Sequence, residues 1–162
     1  HLAVSVETRK ELGETYAAWK GSVRQYELMY VVADERDVIG VRTNHRDEDV
    51  YLYRTTATPE QARQLFVDVM SRVNELASRP EFYDTLTNNC TTNLVRHVNR
   101  LRPRRIKYDY HVLLPGYSDE MAYREGLIER RGSFAETKEQ AYINPLAWSV
   151  AENGDFSAAI RR

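Results

Sequence analysis

The sequence predicts an α+β fold, an antiparallel sheet packed on helices, with strands in the first half and helices after. Three observations carry this. Leu2-Ala3-Val4-Ser5-Val6-Glu7 alternates apolar with small or polar side chains, the period of a half-buried strand. Gln25 to Ala33 is rich in β-branched and aromatic residues. Thr58-Pro59-Glu60-Gln61 then supplies an N-cap, a proline at the first helical position and a glutamine at the third, which opens a helix. The 162 residues have room for one ordinary domain, so 1–162 is read as a single domain, with 133–162 as a C-terminal arm.

In chain order, the first strand begins at the first residue with no turn or cap ahead of it. That abrupt start predicts sequence upstream and a domain truncated at its N-terminus. Residues 10–22 are polar, contain Gly13 and Gly21, and read as loop or short helix. The run from Gln25 to Ala33, the charged Asp34-Glu35-Arg36-Asp37 and the run from Val38 to Thr43 together predict a β-hairpin. Asp49 to Thr55 predicts a further strand. After the Thr58 cap, Ala62, Leu65, Phe66, Val69, Met70, Val73, Leu76 and Ala77 recur at helical spacing until Pro80. A second helix, capped by Asn88 or Asn89, runs to about Leu101, with Leu94, Val95, Val98 and Leu101 expected on its buried face. Pro115-Gly116 marks a turn, and Ser118 to Leu127 reads as a short helix closed by Gly126.

Composition excludes several functions. With 23 basic and 24 acidic side chains the formal charge is -1, which argues against a nucleic-acid-wrapping protein. A single cysteine cannot form an intramolecular disulfide or a cysteine-built zinc site. The four histidines are scattered without metal-ligand spacing, and no glycine-rich phosphate loop occurs, so neither a metal nor a cofactor is expected. No apolar run approaches the ~18 residues of a membrane span.

Thr85-Leu86-Thr87-Asn88-Asn89-Cys90-Thr91-Thr92-Asn93 is the most informative stretch. It places Cys90 in the first turn of a helix, where unpaired backbone N–H groups and the helix dipole favour an anion. A thiolate there has a lowered pKa and is a competent nucleophile. The same donors suit an oxyanion, which makes Asn88, Asn89 and Thr91 candidate positioning or oxyanion residues. A lone cysteine beside an ordinary asparagine cap is also compatible with a small core residue. A nucleophilic thiol needs a base. His97 lies seven residues along the same helix, roughly 10 Å away, and reads as a surface or packing residue. His45 sits in a polar loop and His111 in a tyrosine-rich connector, while His1 heads the first strand and is the best placed of the four, its alternative reading being a frayed terminal residue.

Arg96, Arg100, Arg102, Arg104, Arg105 and Lys107 form a basic run without an intervening acid. Its first members complement the helix C-terminus. Arg102, Arg104 and Arg105 lie beyond it and are candidate anion-binding residues for phospholipid headgroups or a phosphate-bearing substrate.

Ser5-Val6-Glu7-Thr8-Arg9, Arg24-Gln25-Tyr26-Glu27-Leu28-Met29-Tyr30, Ala33-Asp34-Glu35-Arg36-Asp37, Leu86-Thr87-Asn88-Asn89-Cys90-Thr91-Thr92 and Leu113-Leu114-Pro115-Gly116-Tyr117 together resemble one family. It is the N-terminal periplasmic domain of the Lnb-type lipoprotein N-acyltransferases. The resemblance implies a circularly permuted papain-like (NlpC-type) fold and a periplasmic location, with the parent protein tethered to the inner membrane by segments outside this chain. It implies that Cys90 accepts a fatty acyl chain as a thioester and passes it to a lipoprotein amine. The partners implied are a phospholipid or lipoprotein substrate and the membrane surface. In similar proteins the catalytic histidine lies on a strand upstream of the segment matching Leu2 to Glu7, so this chain is expected to lack it. The alternatives are a cysteine peptidase or amidase acting on peptide or cell-wall amides, and a non-catalytic envelope binding module.

Overall fold

The computed structural model describes residues 1–9, 26–150 and 154–162. The loop or short helix expected over 10–22 lies outside them. Two strands, β1 (Leu2–Arg9) and β2 (Glu27–Asp34), pair as an antiparallel sheet, and helices make up most of the rest, so the fold is α+β as expected. The chain divides into two compact units. One comprises His1–Ser5, Val32–Thr56 and Gly126–Arg162; the other comprises Val6–Val31 and Ala57–Glu125.

In the first unit the predicted hairpin does not form. Helix α1 (Glu35–Gly40) follows β2 directly, and a single wide turn (Val41–His45) extends it. The cause lies in Asp34 and Glu35. The Asp34 carboxylate accepts the Arg36 backbone N–H at 2.8 Å and caps the helix. Glu35 is buried, and Arg161 donates to both of its oxygens while the Ser157 hydroxyl donates to one. These contacts, with Ile39 in the core, override the strand preference of Val38, Ile39 and Val41. The predicted strand over Asp49–Thr55 joins no sheet; among the described residues it makes isolated bridges from Tyr51 to Tyr142 and from Thr55 to Ile128. Asn144, fully buried, accepts the Val50 N–H and donates to the Glu48 carbonyl, which fixes this segment's register. Residues 133–162 supply helices α6 (Phe134–Ala141), α7 (Asn144–Ser149) and α8 (Phe156–Ala159). Their Ile143, Ala147, Phe156 and Ile160 close a core with Ile39.

The second unit holds α2 (Pro59–Ser78), α3 (Cys90–Leu101), α4 (Tyr110–Leu113) and α5 (Ser118–Arg124). The capping box predicted at Thr58 and Gln61 is present in both directions. Its core gathers Tyr26, Leu28, Leu76 and Tyr83, with Val6 and Tyr30 packed against them. Helix α3 departs from expectation. Leu94 is exposed, and the buried residues are Thr91, Thr92, Asn93, Val95 and His97. Gly126, at φ 68°, follows α5 in the left-handed conformation that ends a helix, as its position suggested.

The Glu35 contacts set a pH dependence. The Arg161 guanidinium, helped by the Ser157 hydroxyl and opposed by burial, holds the Glu35 carboxyl below its ordinary value of 4.5. A carboxyl with a depressed folded-state pKa stabilises fully above the unfolded value, and that contribution is lost as pH falls through the folded value. Glu35→Gln should therefore lower stability at pH 7 by about 1–2 kcal/mol, the range for losing charge-assisted hydrogen bonds with a partly exposed partner. Urea unfolding at pH 7 and below pH 4 checks this: the gap between wild type and variant should narrow in acid.

Candidate functional site

Asn89 is fully buried and is the N-cap of α3. Its Oδ1 accepts the Thr92 N–H at 2.8 Å, and its own N–H donates to Thr92 Oγ1 at 2.8 Å. The capping box therefore closes with threonine in the place usually held by glutamate or glutamine. The Asn89 amide is spent on two other segments, donating to the Thr85 carbonyl at 2.7 Å and, at the end of α4, to the Leu113 carbonyl at 3.0 Å. Asn88 is equally committed. Its amide donates to the Phe82 carbonyl at 2.9 Å and to Glu81 at 3.3 Å. Its oxygen accepts from Asn93 at 3.0 Å and Arg96 at 2.9 Å.

Cys90 occupies the first position of the helix and is half-buried. Its sulfur lies 4.0 Å from Thr91 Oγ1. Burial pushes the thiol above its ordinary pKa, and the Glu7 carboxylate adds to the rise. The Thr91 hydroxyl and the backbone N–H groups of Thr91 and Cys90 pull the other way without prevailing. This reverses the lowered pKa expected from the helix position. The helix-terminus field is worth ~0.3–1 kcal/mol, and taking a thiolate out of water costs more. The groups beside the sulfur that favour a negative charge are the Thr91 hydroxyl and the backbone N–H groups of Thr91 and Cys90. Asn88 and Asn89 shape the turn and have no amide proton to spare.

Beneath the cysteine turn, the helix face carries polar residues at every fourth position, Asn89, Asn93 and His97. His97 is buried, its Nδ1 2.6 Å from Asp68 Oδ2 and its Nε2 2.9 Å from the Tyr30 hydroxyl. The Tyr30 hydroxyl also reaches Asn93 Oδ1 at 3.4 Å. Asp68 binds Arg100 at 2.8 Å as well. His97 is thus a packing residue, as expected, but not a surface one. Sequence reasoning missed Asp68, Tyr30 and Asn93, although the four-residue polar spacing from Asn89 to His97 was the available signal.

The other imidazoles are dispersed. His1 belongs to the first unit, where its ring lies 3.9 Å from Glu35 and its amino group 4.0 Å from Asp34. His45 is exposed. His111 is buried, stacked on Tyr110 and held by Asp109 and Arg124. The basic run is split. Arg96 and Arg100 serve Asn88 and Asp68, and Arg102 is tied to Glu125 through its carbonyl and carboxylate. Arg104, Arg105 and Lys107 are exposed, on a loop closed by the paired hydrogen bonds between Asn99 and Ile106.

The model of the Lnb N-terminal periplasmic domain matches residues 1–116. The chain belongs to this family. It is accordingly a periplasmic, cell-envelope protein. No curated protein and no solved structure matches it. The matched segment contains Cys90 with its cap, His1 and the basic run. Among the described residues, no helix is long and apolar enough to cross a membrane, and no cluster of His, Cys, Asp or Glu could hold a metal ion.

The sulfur's surroundings predict slow alkylation. Iodoacetamide should label Cys90 more slowly than free cysteine at pH 7, with a rate midpoint above the free value of ~8.5. Glu7→Gln removes one of the causes of the rise and should bring the midpoint down. A midpoint that does not move on this substitution would show that burial alone sets it.

Proposed function

We propose that the domain carries out cysteine-dependent acyl transfer in the cell envelope, with Cys90 as nucleophile and a phospholipid as acyl donor. The observation that supports this most is the placement of Cys90. It starts a helix whose first turn is held rigidly by Asn88, Asn89 and Thr92, with two backbone N–H groups beside the sulfur. Backbone N–H donors beside a nucleophile are the groups from which an oxyanion hole is built. In the first step Cys90 Sγ bonds to the ester carbonyl carbon, the ester C–O bond breaks, and the thiol proton passes to the leaving alcohol. In the second step an amine nitrogen, in this reading that of a lipoprotein, bonds to the thioester carbon. The C–S bond then breaks and the amine proton returns to sulfur. A papain-like arrangement is part of this reading, supported by the contact of His97 on α3 with Tyr30 on β2.

Incubating the chain with a short-chain phospholipid and mapping adducts by mass spectrometry tests the assignment. The expected product is one acyl group on Cys90, released by neutral hydroxylamine and absent in Cys90→Ser. Amine release from a peptide without a fatty acyl adduct would instead favour the peptidase or amidase reading. The same assay with His1→Ala reads whether the imidazole at the head of β1 is the base; undiminished thioester formation removes it from that role.

The membrane surface is the proposed partner. Exposed Tyr108, Tyr110, Leu114 and Tyr117 follow Arg104, Arg105 and Lys107 in the chain, pairing interfacial aromatics with cations. Each cation near an anionic surface contributes about 1 kcal/mol. Reversing Arg104 and Arg105 to glutamate should weaken binding to anionic vesicles at least ~10-fold at low salt. Arg102 is left in place because of its tie to Glu125. Unchanged vesicle binding would reduce the run to a solvated loop.

A further inference from the structure

The first unit contains a pocket of about 430 Å³, within the range of small-molecule sites. It opens where the extended segment 51–55 changes partner, bridged to Tyr142 at one end and to Ile128 at the other. Between these bridges the segment passes from one partner to the other, Leu52 donating to the Ala141 carbonyl and Arg54 accepting from the Glu129 N–H. The gap is lined by Leu52, Arg54, Glu129, Arg131, Ile143 and Leu146, among others.

Two properties of this lining stand out. One wall is the edge of the core itself: Ile143 and Ile160 are buried members of the core cluster, and Leu52 and Leu146 are half-buried against it. The rim is cationic. Arg54 and Arg131 share a single carboxylate, Glu129, at 3.8 Å and 3.9 Å, neither within hydrogen-bond reach. Arg161 is satisfied by buried Glu35 and does not count toward this surplus. Two guanidiniums set against one loosely held carboxylate leave positive charge facing the opening. Both are forked donors suited to a planar or tetrahedral oxyanion.

We propose that this pocket binds a small anionic amphiphile, with a phosphate or carboxylate head on Arg54 and Arg131 and a short apolar tail on Leu52, Ile143 and Leu146. An incoming anion replaces Glu129 as the partner of the two guanidiniums. The tail removes from water the apolar wall formed by Leu52, Ile143 and Leu146. The site is separate in sequence and in unit from Cys90, so it stands whether or not Cys90 is a nucleophile.

Calorimetric titration of the chain with hexyl phosphate, inorganic phosphate and hexanol tests this. Hexyl phosphate should saturate one site, with inorganic phosphate and hexanol each bound at least ~10-fold more weakly. Joint substitution Arg54→Gln and Arg131→Gln should weaken hexyl phosphate binding at least ~10-fold and flatten its salt dependence. Glu129→Gln should tighten it severalfold, a gain that misfolding cannot produce. Cys90→Ala should leave it unchanged. Hexanol binding as tightly as hexyl phosphate, inorganic phosphate doing so, or the double substitution having no effect would each overturn the proposal.

Discussion

The geometry around Cys90 depends on one buried side chain, Asn89. Hydrogen bonds from several elements converge on this residue, among them the two arms of the capping box, the bond from the Asn93 amide to its carbonyl, and its own amide bonds to Thr85 and Leu113. Buried amides of this kind are costly when any partner is lost, because the remaining groups have no water to turn to. The cap therefore does more than start a helix. It joins the loop before Cys90 to helix α4 after it, so the position of the sulfur is fixed by distant parts of the second unit.

The same economy runs down α3. A helix that buries threonines, an asparagine and a histidine cannot rely on apolar area alone, and every polar group it buries has to find a partner. Asn93 finds Asn88 and the Asn89 carbonyl, and His97 finds Asp68 and Tyr30. These contacts also reach the first turn, since Asn88 accepts from both Asn93 and Arg96. A packed apolar face tolerates small shifts; a directional polar one does so far less. The result is a rigid mount for Cys90 in which the Asn88 and Asn89 amides and the His97 imidazole are all engaged within the protein.

How much of this the sequence discloses follows from the range of each interaction. Local signals were legible. The Thr58-Pro59 opening, the position of Cys90 at a helix start and the Gly126 stop are set by neighbours within four residues. Errors arose where a distant partner decides. The segment from Val38 to Thr43 has strand composition, yet it winds into a helix and turn because Glu35 is matched by Arg161, 126 residues away. Hydrophobicity places Leu94 on the buried face of α3, but the face is chosen by Asp68 and Tyr30, which lie on other elements, and Leu94 is exposed. The pocket by Arg54 left no trace in the sequence, because it arises from two backbone bridges to segments far along the chain.

The raised thiol bears directly on how such a site would work. A helix N-terminus favours a thiolate, but at Cys90 burial and the Glu7 carboxylate outweigh it. The resting nucleophile at neutral pH is then the thiol, and attack requires that its proton be taken as the C–S bond forms. His97 cannot take it without giving up Asp68 or Tyr30, its partners on both ring nitrogens. Glu7 works in two directions. It opposes a lone thiolate, yet it would favour an imidazolium brought beside the sulfur, because opposite charges attract more strongly where water is scarce. A thiolate–imidazolium pair next to Glu7 is thus better supported than a thiolate alone. In the acyl-transfer reading proposed above, the thiol is therefore slow to react until a base stands beside it.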